Sequence, residues 1–398
     1  MEKTVIPDLE SLDITKARSA FAQIDEMVYL NTGTEGLTPA TVLDRLIELT
    51  TYCQTHGQAS FETSRAAIEE SRIRVAGFLG VDADEIGFPL NATEAINWVA
   101  ASLNFNPGDE VLLSRNEHPA MNFPWTYQRN LGRLQLKWFD ISIDPDETLE
   151  NIERAITSRT RLVALSHVDR HQGRRVPAER ICRLAADAGM LVLLDGAQAL
   201  GQFPVDLREL GVDFYAGNGH KWLCGPIGTG VFFVKKERLQ LLTQQHVGVG
   251  STATPYSWDR AGGPVLRMEA ARFEYGTRNR ATFGALAAAL DWLEQFGLDA
   301  IQARISALAA HVRNQARDRG WKVTSPEDWE QGCGLTSFAI PDADAMEMFK
   351  RLAETRNIWI STNFEGEIRI STHYFNTTGE IDRAFEAIAA ELNQTNST

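Results

Sequence analysis

Cysteine is scarce in this sequence, and its spacing excludes two common uses of the residue. The chain has only four cysteines, and no two of them show C-x-x-C spacing. Neither a structural zinc site nor a disulfide framework is therefore indicated, and we predict no metal. The four are Cys53, Cys182, Cys224 and Cys333.

Long apolar runs and an excess of positive charge are also lacking. The longest apolar runs, such as LVLLD and GVFFV, have the length of a strand and fall far short of a bilayer span. The polar start MEKTVIPDLESLD has no apolar core of the kind that marks a signal peptide, so we expect a cytoplasmic protein with no membrane partner. The formal net charge of −14 disfavours nucleic acid, which demands a basic face.

What is present is the composition of a globular enzyme. The chain has 398 residues, of which 43% are hydrophobic and 23% charged, and this length suits two domains. Between about residues 110 and 234, the runs EVLLS, LKWFD, RLVALSHV, LVLLD, DFYAG and GVFFV alternate with helical patterns. Such alternation predicts an α/β large domain with a mostly parallel sheet covered on both faces.

The pattern changes after about residue 250. GSTATPYSWDRAGGPVLRMEA is weakly periodic and contains glycine and proline, which predicts a long functional loop. A helical segment from Phe283 through Arg319, broken near Phe296-Gly297, leads to an α+β unit with strands GLTSFAI, IWISTN and EIRIST and a last helix GEIDRAFEAIAAELN. We predict an N-terminal segment (1–25) joining the small domain, a large domain (26–280) and a small C-terminal domain (281–398).

Two charged residues stand where α/β sheets place their ligands. Asp195 ends the run LVLLD, and Lys221 lies in a turn between the strand DFYAG and a glycine-rich segment. Open α/β sheets bind ligands at the carboxyl ends of their strands, and a buried carboxylate needs a positive partner, for which a protonated pyridine nitrogen would serve. On these residues alone two plainer interpretations stay open, namely Asp195 as the N-cap of a helix and Lys221 as a solvated lysine.

The spacing of Asp195 and Lys221, with the motifs around them, resembles the class V aminotransferases over nearly the whole chain. The matching motifs are NATEA, NEHP, DGAQ and GNGHKWLCGPIGTG, in that order. The resemblance implies fold type I of the pyridoxal 5'-phosphate enzymes, with a mostly parallel sheet of seven strands. It also implies that Lys221 carries the cofactor as a Schiff base and that Asp195 keeps the pyridine ring cationic. Lys221, once freed, would then remove the Cα proton of a small amino-acid substrate.

The same resemblance implies the phosphate contacts. NATEA opens a helix whose free backbone N–H groups would hold the phosphate. His220 resembles a further phosphate ligand, and the amide of Asn218 would donate to the same group. The residues of the helix start are Asn91, Ala92 and Thr93.

Contacts to the cofactor ring are implied as well. His118 matches a histidine that stacks on the pyridine face and relays protons, and Gln198, on the helical start after Asp195, matches the residue bonded to the phenolic oxygen. His171 falls near the ring hydroxyl, where the family usually has Asn or Thr, and this departure leaves Gln172 as the alternative.

The resemblance extends to the substrate and to a second subunit. Thr277, in EYGTRNR, resembles the segment by which one subunit reaches the phosphate of the other, which implies a homodimer with active sites at the interface. Arg369, in EIRISTHYFNT, matches the arginine that fixes the substrate carboxylate, whereas Arg278 and Arg280 are either substrate contacts or solvated cations. LNTGTEGLTP resembles the loop that lines this pocket, through Asn31, Thr32 and Gly33.

The segment before Arg369 bears on the reaction. Cysteine desulfurases need a nucleophilic cysteine on a mobile loop there, but NIWISTNFEGEIRIS contains none, and Cys333 is interpreted as structural. Desulfurase activity is therefore disfavoured. Within the family, the chain most resembles the branch of isopenicillin N epimerase-like proteins and cysteine or cystine C–S lyases. The motifs that carry this resemblance are GNGHKWLCGPIGTG, VGVGS and RFEYGT. We favour β-elimination, which needs only a Cα carbanion and a leaving group, over the alternatives of an epimerase or an aminotransferase.

Two local departures concern the substrate. The cystine lyases carry an additional arginine shortly before the carboxylate-binding one, where this chain has Ser361. The second departure is a run of basic residues expected near the cofactor. It would either bind an extra acidic group on the substrate or form a solvated face of a loop. The run comprises Arg170, His171, Arg174 and Arg175.

Overall fold

A computed structural model describes residues 12–254, 258–341 and 343–395. Three predicted regions therefore lie partly outside the described residues. They are the beginning of the N-terminal segment, the middle of the 250–270 loop and the end of the polar tail.

Helices and short strands alternate along the chain. The helices are α1 (Ile14–Ser19), α2 (Ala40–His56), α3 (Phe61–Phe78), α4 (Ala92–Ser102), α5 (Pro119–Asn130), α6 (Pro145–Ala155), α7 (Ala178–Asp187), α8 (Leu207–Leu210), α9 (Arg280–Gly284), α10 (Leu286–Glu294), α11 (Leu298–Asp318), α12 (Ala345–Arg356) and α13 (Thr378–Thr395). The strands are β1 (Val28–Tyr29), β2 (Ile86–Gly87), β3 (Glu110–Ser114), β4 (Gln135–Phe139), β5 (Thr160–Ser166), β6 (Leu191–Asp195), β7 (Phe214–Asn218), β8 (Gly230–Val234), β9 (Lys322–Val323), β10 (Leu335–Ala339), β11 (Ile358–Trp359), β12 (Ser361–Thr362) and β13 (Ile368–Ser371).

The central sheet has seven strands in the order β2-β8-β7-β6-β5-β3-β4. The strands from β4 to β7 are parallel to their neighbours, whereas β8 and β2 join antiparallel. The predicted α/β class with a mostly parallel sheet is therefore confirmed.

Both faces of this sheet are covered, as the apolar strands predict. In β5, Leu162 and Ala164 belong to one buried cluster and Val163 and Leu165 to another, because successive side chains of a strand point to opposite faces. Burial on both sides explains why these strands are apolar throughout rather than alternating. It leaves the carboxyl ends of the strands as the place for polar chemistry.

A smaller antiparallel sheet, in the order β12-β13-β10-β9, lies towards the end of the chain. The segment IWISTN, predicted as one strand, is divided at the buried Ile360: β11 pairs in parallel with β1, and β12 pairs with β13. Val28 and Leu30 share a core with α11 and α13, and α9 packs on α2 and α3. The boundaries at 25/26 and 280/281 stay predictions.

None of the described helices combines the length and the apolar character needed to cross a bilayer.

Candidate active site

A pocket with an empty volume of about 390 Å³ opens at the carboxyl ends of β5, β6 and β7. Parallel strands that end side by side bring residues distant in sequence to one edge of the sheet. The pocket is lined by Ala92, Thr93, His118, Ala120, Ser166, Val168, Arg170, Asp195, Ala197, Gln198, Asn218 and Lys221.

Lys221 lies in the turn that follows β7. Burial, against the opposing charge of Asp195 and together with the charges of Arg369 and Arg170, lowers its pKa from 10.5 to about 8. The turn is held by Gly36, whose N–H donates to the carbonyl of His220 at 2.7 Å. A Cβ on Gly36 would lie 2.0 Å from the Lys221 carbonyl oxygen, so only glycine allows this approach. The lysine thus has an amine that is more easily deprotonated than usual.

Asp195 ends β6 with only 4% of its surface exposed. Its Oδ1 accepts the Ala197 N–H at 2.8 Å, and it forms no ion pair within the described residues. Burial raises its pKa, while the Ala197 N–H and the charge of Lys221 oppose the shift. The segment after it is a turn and not the predicted helical start, because Gly196 and Gly201 pack closely on Tyr215 and on the Trp222 carbonyl. An N-cap role for Asp195 is thereby removed, and its charge faces the pocket.

The N-terminus of α4 forms one wall. Asn91 caps the helix, its Oδ1 accepting the Glu94 N–H at 3.0 Å, and the Ala92 N–H donates to Asn218 Oδ1 at 2.9 Å. That bond orients the Asn218 amide and leaves its NH₂ for another acceptor. Since the first N–H groups of a helix lack intrahelical partners, this wall with Thr93 suits an anion.

His118 borders the pocket as the N-cap of α5. Its Nδ1 accepts the Ala120 N–H at 3.0 Å, so a proton on the neutral ring belongs on Nε2. Burial, followed by the charges of Arg170 and Lys221, lowers its pKa to about 4. The ring is therefore neutral at pH 7, as suits an aromatic stacking partner.

Glu117, the residue before His118, is a site residue that sequence reasoning missed. Its Oε1 accepts from Ser114 Oγ at 2.6 Å and from the Ser166 N–H at 2.8 Å, and its Oε2 accepts from Ser166 Oγ at 2.5 Å. Burial raises its pKa to about 7, and the charge of Asp195 adds to the shift. The one signal was a glutamate between a buried strand and the helix cap in NEHP.

Gln198 links the pocket to the N-terminal loop. Its Nε2 donates to the Gly33 carbonyl at 2.7 Å and its Oε1 accepts from Trp222 Nε1 at 2.8 Å, so one hydrogen of the amide is left over for a further acceptor. Asn31 and Thr32 are buried nearby, and their side-chain oxygens have no hydrogen-bond partner in the described chain.

His171 does not line the pocket, and its contact with the ring hydroxyl stays a prediction. Its ring lies 5.1 Å from that of Phe364, and its neighbour Arg170 lines the pocket instead. The physical reason is the turn after β5, in which Asp169 accepts the His171 and Gln172 N–H groups at 2.7 and 2.9 Å. This turn directs Arg170 inward. Gln172 accepts from Arg174 and is engaged elsewhere.

Arg369 is 2% exposed on β13. It donates to the Arg170 carbonyl at 3.1 Å, to Thr34 Oγ1 at 2.7 Å and to Ser361 Oγ at 3.2 Å, while its Nε lacks a partner among the described residues. No carboxylate among the described residues pairs with Arg369. Burial lowers the pKa of its guanidinium to about 10. A buried guanidinium held only by neutral groups suits an incoming carboxylate. Thr34 was not predicted.

Other predicted residues also lie outside the pocket lining. His220 is adjacent to it but partly buried, and Thr277 is exposed. Arg278 pairs with Glu274 at 2.9 Å and packs over Phe283, and Arg280 donates to Ser64 at 2.7 Å. Arg278 is thus engaged in structural contacts, and its contact with a substrate stays a prediction.

The four cysteines are all described, and none of them lines the pocket. Cys333 is buried, and burial raises its pKa to about 11. The segment between β12 and β13 is a tight turn (363–367) in which Asn363 Oδ1 accepts the Glu365 and Glu367 N–H groups at 2.9 and 3.0 Å. Neither a nucleophilic thiol nor a long loop is found there.

Comparison with known proteins identifies the family. The aminotransferase class-V family model matches residues 28–383. A probable cysteine desulfurase from Methanothermobacter thermautotrophicus is 32% identical over 91% of this chain and 94% of that protein. An isopenicillin N epimerase from Streptomyces clavuligerus is 30% identical over 95% and 98%. The structure of an Escherichia coli cysteine desulfurase is 25% identical, covers 96% and 99% of the two chains, and has a TM-score of 0.86. The chain therefore belongs to the class-V aminotransferases, a family of pyridoxal 5'-phosphate enzymes.

Proposed function

We propose that the chain catalyses β-elimination on an amino acid that carries a sulfur leaving group at Cβ, the reaction of a C–S lyase. The observation that carries the proposal is the content of the pocket. It holds a lysine of lowered pKa and a buried carboxylate, with an unpaired arginine beside it, but no cysteine. This set suffices to remove a Cα proton and to hold the substrate, and it lacks the thiol that a desulfurase needs.

The pocket fits the family's cofactor. The buried Asp195 has no cationic partner bonded to it in the described chain, which suits a protonated pyridine nitrogen, and the start of α4 with Asn218 suits a phosphate. When bound, pyridoxal 5'-phosphate supplies an electron sink for a carbanion at Cα.

The side chains divide the remaining work. Arg369 binds the α-carboxylate and, with Thr34 and Ser361 holding the guanidinium, fixes the orientation of Cα. Lys221, whose pKa of about 8 lies near neutrality, removes the Cα proton as a general base. A double bond then forms between Cα and Cβ while the thiolate or persulfide leaves with the electron pair of the C–S bond, and no protein nucleophile is required. Water hydrolyses the released aminoacrylate to pyruvate and ammonia.

Epimerisation is the second candidate, favoured by the similarity to an isopenicillin N epimerase along nearly the whole of both chains. An epimerase needs a second proton donor on the face opposite Lys221. His118 is poorly suited to donate, since its pKa is lowered to about 4 and its Nδ1 is occupied in capping α5. Elimination is therefore the preferred assignment.

We also propose that the enzyme is a homodimer. Thr277 is exposed and lies outside the pocket of its own chain, which suits a residue that contributes to the partner's phosphate site.

The test is to incubate the yellow, cofactor-loaded protein with cystine and S-substituted cysteines, without keto acid, while following pyruvate and the cofactor spectrum. Pyruvate with the original spectrum restored supports the lyase. Conversion to the pyridoxamine form without pyruvate would identify an aminotransferase. Neither change, with loss of optical activity from the amino acid, would identify an epimerase. Lys221→Ala is the control that should abolish each signal.

A further inference from the structure

We propose that Arg170 is a second anion anchor that selects amino acids whose side chain ends in a carboxylate or another acidic group. This assignment rests on the proposed function only in requiring that an amino acid binds above Lys221. The juxtaposition that carries it is that Arg170 lines the pocket next to Arg369, whose guanidinium is already assigned to the α-carboxylate.

Arg170 is free to bind a ligand. It lines the pocket half-buried, and its side chain donates no hydrogen bond and forms no ion pair within the described residues. The adjacent carboxylate of Asp169 is already engaged by the N–H groups of His171, Gln172 and Arg174 at 2.7 to 2.9 Å and by the Arg174 side chain at 3.4 Å.

The position of Arg170 also separates it from the expected phosphate site. The start of α4 and Asn218 lie beside β7, whereas Arg170 follows β5, with β6 between them. Arg170 reaches the pocket from the side of Phe364 and Arg369, where the carboxylate site is proposed.

The Arg170 guanidinium is held against an aromatic ring. Its carbon lies 4.4 Å from the centroid of the Phe364 ring, and Phe364 belongs to the Asn363-anchored turn. Because the side-chain N–H groups of Arg170 donate to none of the described residues, they are available to a bidentate acid. The backbone carbonyl of the same residue accepts from Arg369 at 3.1 Å, so the two cationic groups are held in a fixed relation.

The experiment measures binding independently of turnover. L-Aspartate and L-asparagine, and L-glutamate and L-glutamine, are titrated into the cofactor-loaded protein, and the change in the visible cofactor spectrum gives Kd. Each pair has nearly the same shape and differs in charge. We expect the acid of at least one pair to bind at least about tenfold more tightly than its amide, as a charged hydrogen bond provides.

Arg170→Gln should erase this preference while leaving the amide unchanged, and Arg170→Lys should retain part of it. Arg129→Gln, which changes net charge equally on an exposed residue of α5, should leave the preference intact. No preference in the wild type, or equal weakening of acid and amide in Arg170→Gln, would overturn the proposal, the latter by assigning Arg170 to the cofactor.

A kinetic arm separates this proposal from the proposed function. Pyruvate formation from S-carboxymethyl-L-cysteine is compared with that from its carbamoylmethyl analogue, and Arg170→Gln should raise KM for the acid only. If no pyruvate forms from either compound but the acid preference in Kd persists, the lyase assignment fails and the anion anchor stands.

Discussion

Replacing Arg369 by glutamine tests the substrate orientation on which the proposed reaction depends. The guanidinium is 2% exposed and is held by one carbonyl and two hydroxyl groups, so its position is set before substrate arrives. A charged hydrogen bond contributes about 1.5–3 kcal/mol, and removing one partner of a buried charge pair costs about 2–5 kcal/mol or more. The expected loss in kcat/KM is therefore about 100- to 1000-fold.

Protein stability should respond differently to the same change. Because Arg369 has no carboxylate partner in the described chain, burying its charge is unfavourable, and glutamine removes that cost together with the three hydrogen bonds. We expect a change in unfolding free energy of about 1 kcal/mol or less. The assays are steady-state kinetics of pyruvate release and urea unfolding of the cofactor-free protein. A fall in kcat/KM below about tenfold, with normal folding, would show that Arg369 does not bind the carboxylate.

Three further outcomes are expected. In cofactor-free protein, the rate at which Lys221 adds to pyridoxal 5'-phosphate should be half-maximal near the lysine's pKa of about 8 and level off at higher pH, since the neutral amine reacts, and a midpoint near 10.5 would contradict the lowered pKa. Asp195→Ala should retain the cofactor, measured by its absorbance per protein chain, but lose about 100-fold or more of turnover, and near-normal turnover would refute the ring-nitrogen role. Gly36→Ala should lower the unfolding free energy by about 1–3 kcal/mol, because its Cβ would lie 2.0 Å from the Lys221 carbonyl oxygen, whereas Gly77→Ala on α3, with open space around its Cβ, should not.

Sequence reasoning located the pocket because the two key residues follow parallel strands. Asp195 ends an apolar strand and Lys221 follows the next one, so their meeting depends only on strand order and direction, which βαβ alternation predicts. The sheet class follows for the same reason. The roles assigned to these residues stay predictions.

Residues that reach the pocket from turns were not predictable in this way. Whether Arg170 or His171 points inward depends on the Asp169 turn, and a shift of one residue exchanges their places. Thr34 meets Arg369 only because the N-terminal loop packs on the small sheet, a contact between residues 335 positions apart. No local periodicity encodes either contact.

Glu117 lies shortly after a buried strand, as the sequence shows, but its contact with Ser166 is seen only in the structure. It gives a pH-dependent test. Its pKa is raised from 4.5 to about 7, with burial as the main cause. A carboxyl group whose pKa is raised on folding stabilises the protein below its unfolded pKa, and this contribution is lost as pH rises through the folded value. In Glu117→Gln, the amide can accept from Ser114 and donate to Ser166 without ionising. Relative to wild type, the free energy of unfolding of the variant should therefore rise by up to about 3 kcal/mol between about pH 4.5 and 7, and the difference should then level off.

Urea unfolding of both proteins across this range measures the difference, and a difference independent of pH would mean that Glu117 does not titrate there. The result matters for catalysis, because Ser166, which Glu117 holds, lines the pocket beside Asp195.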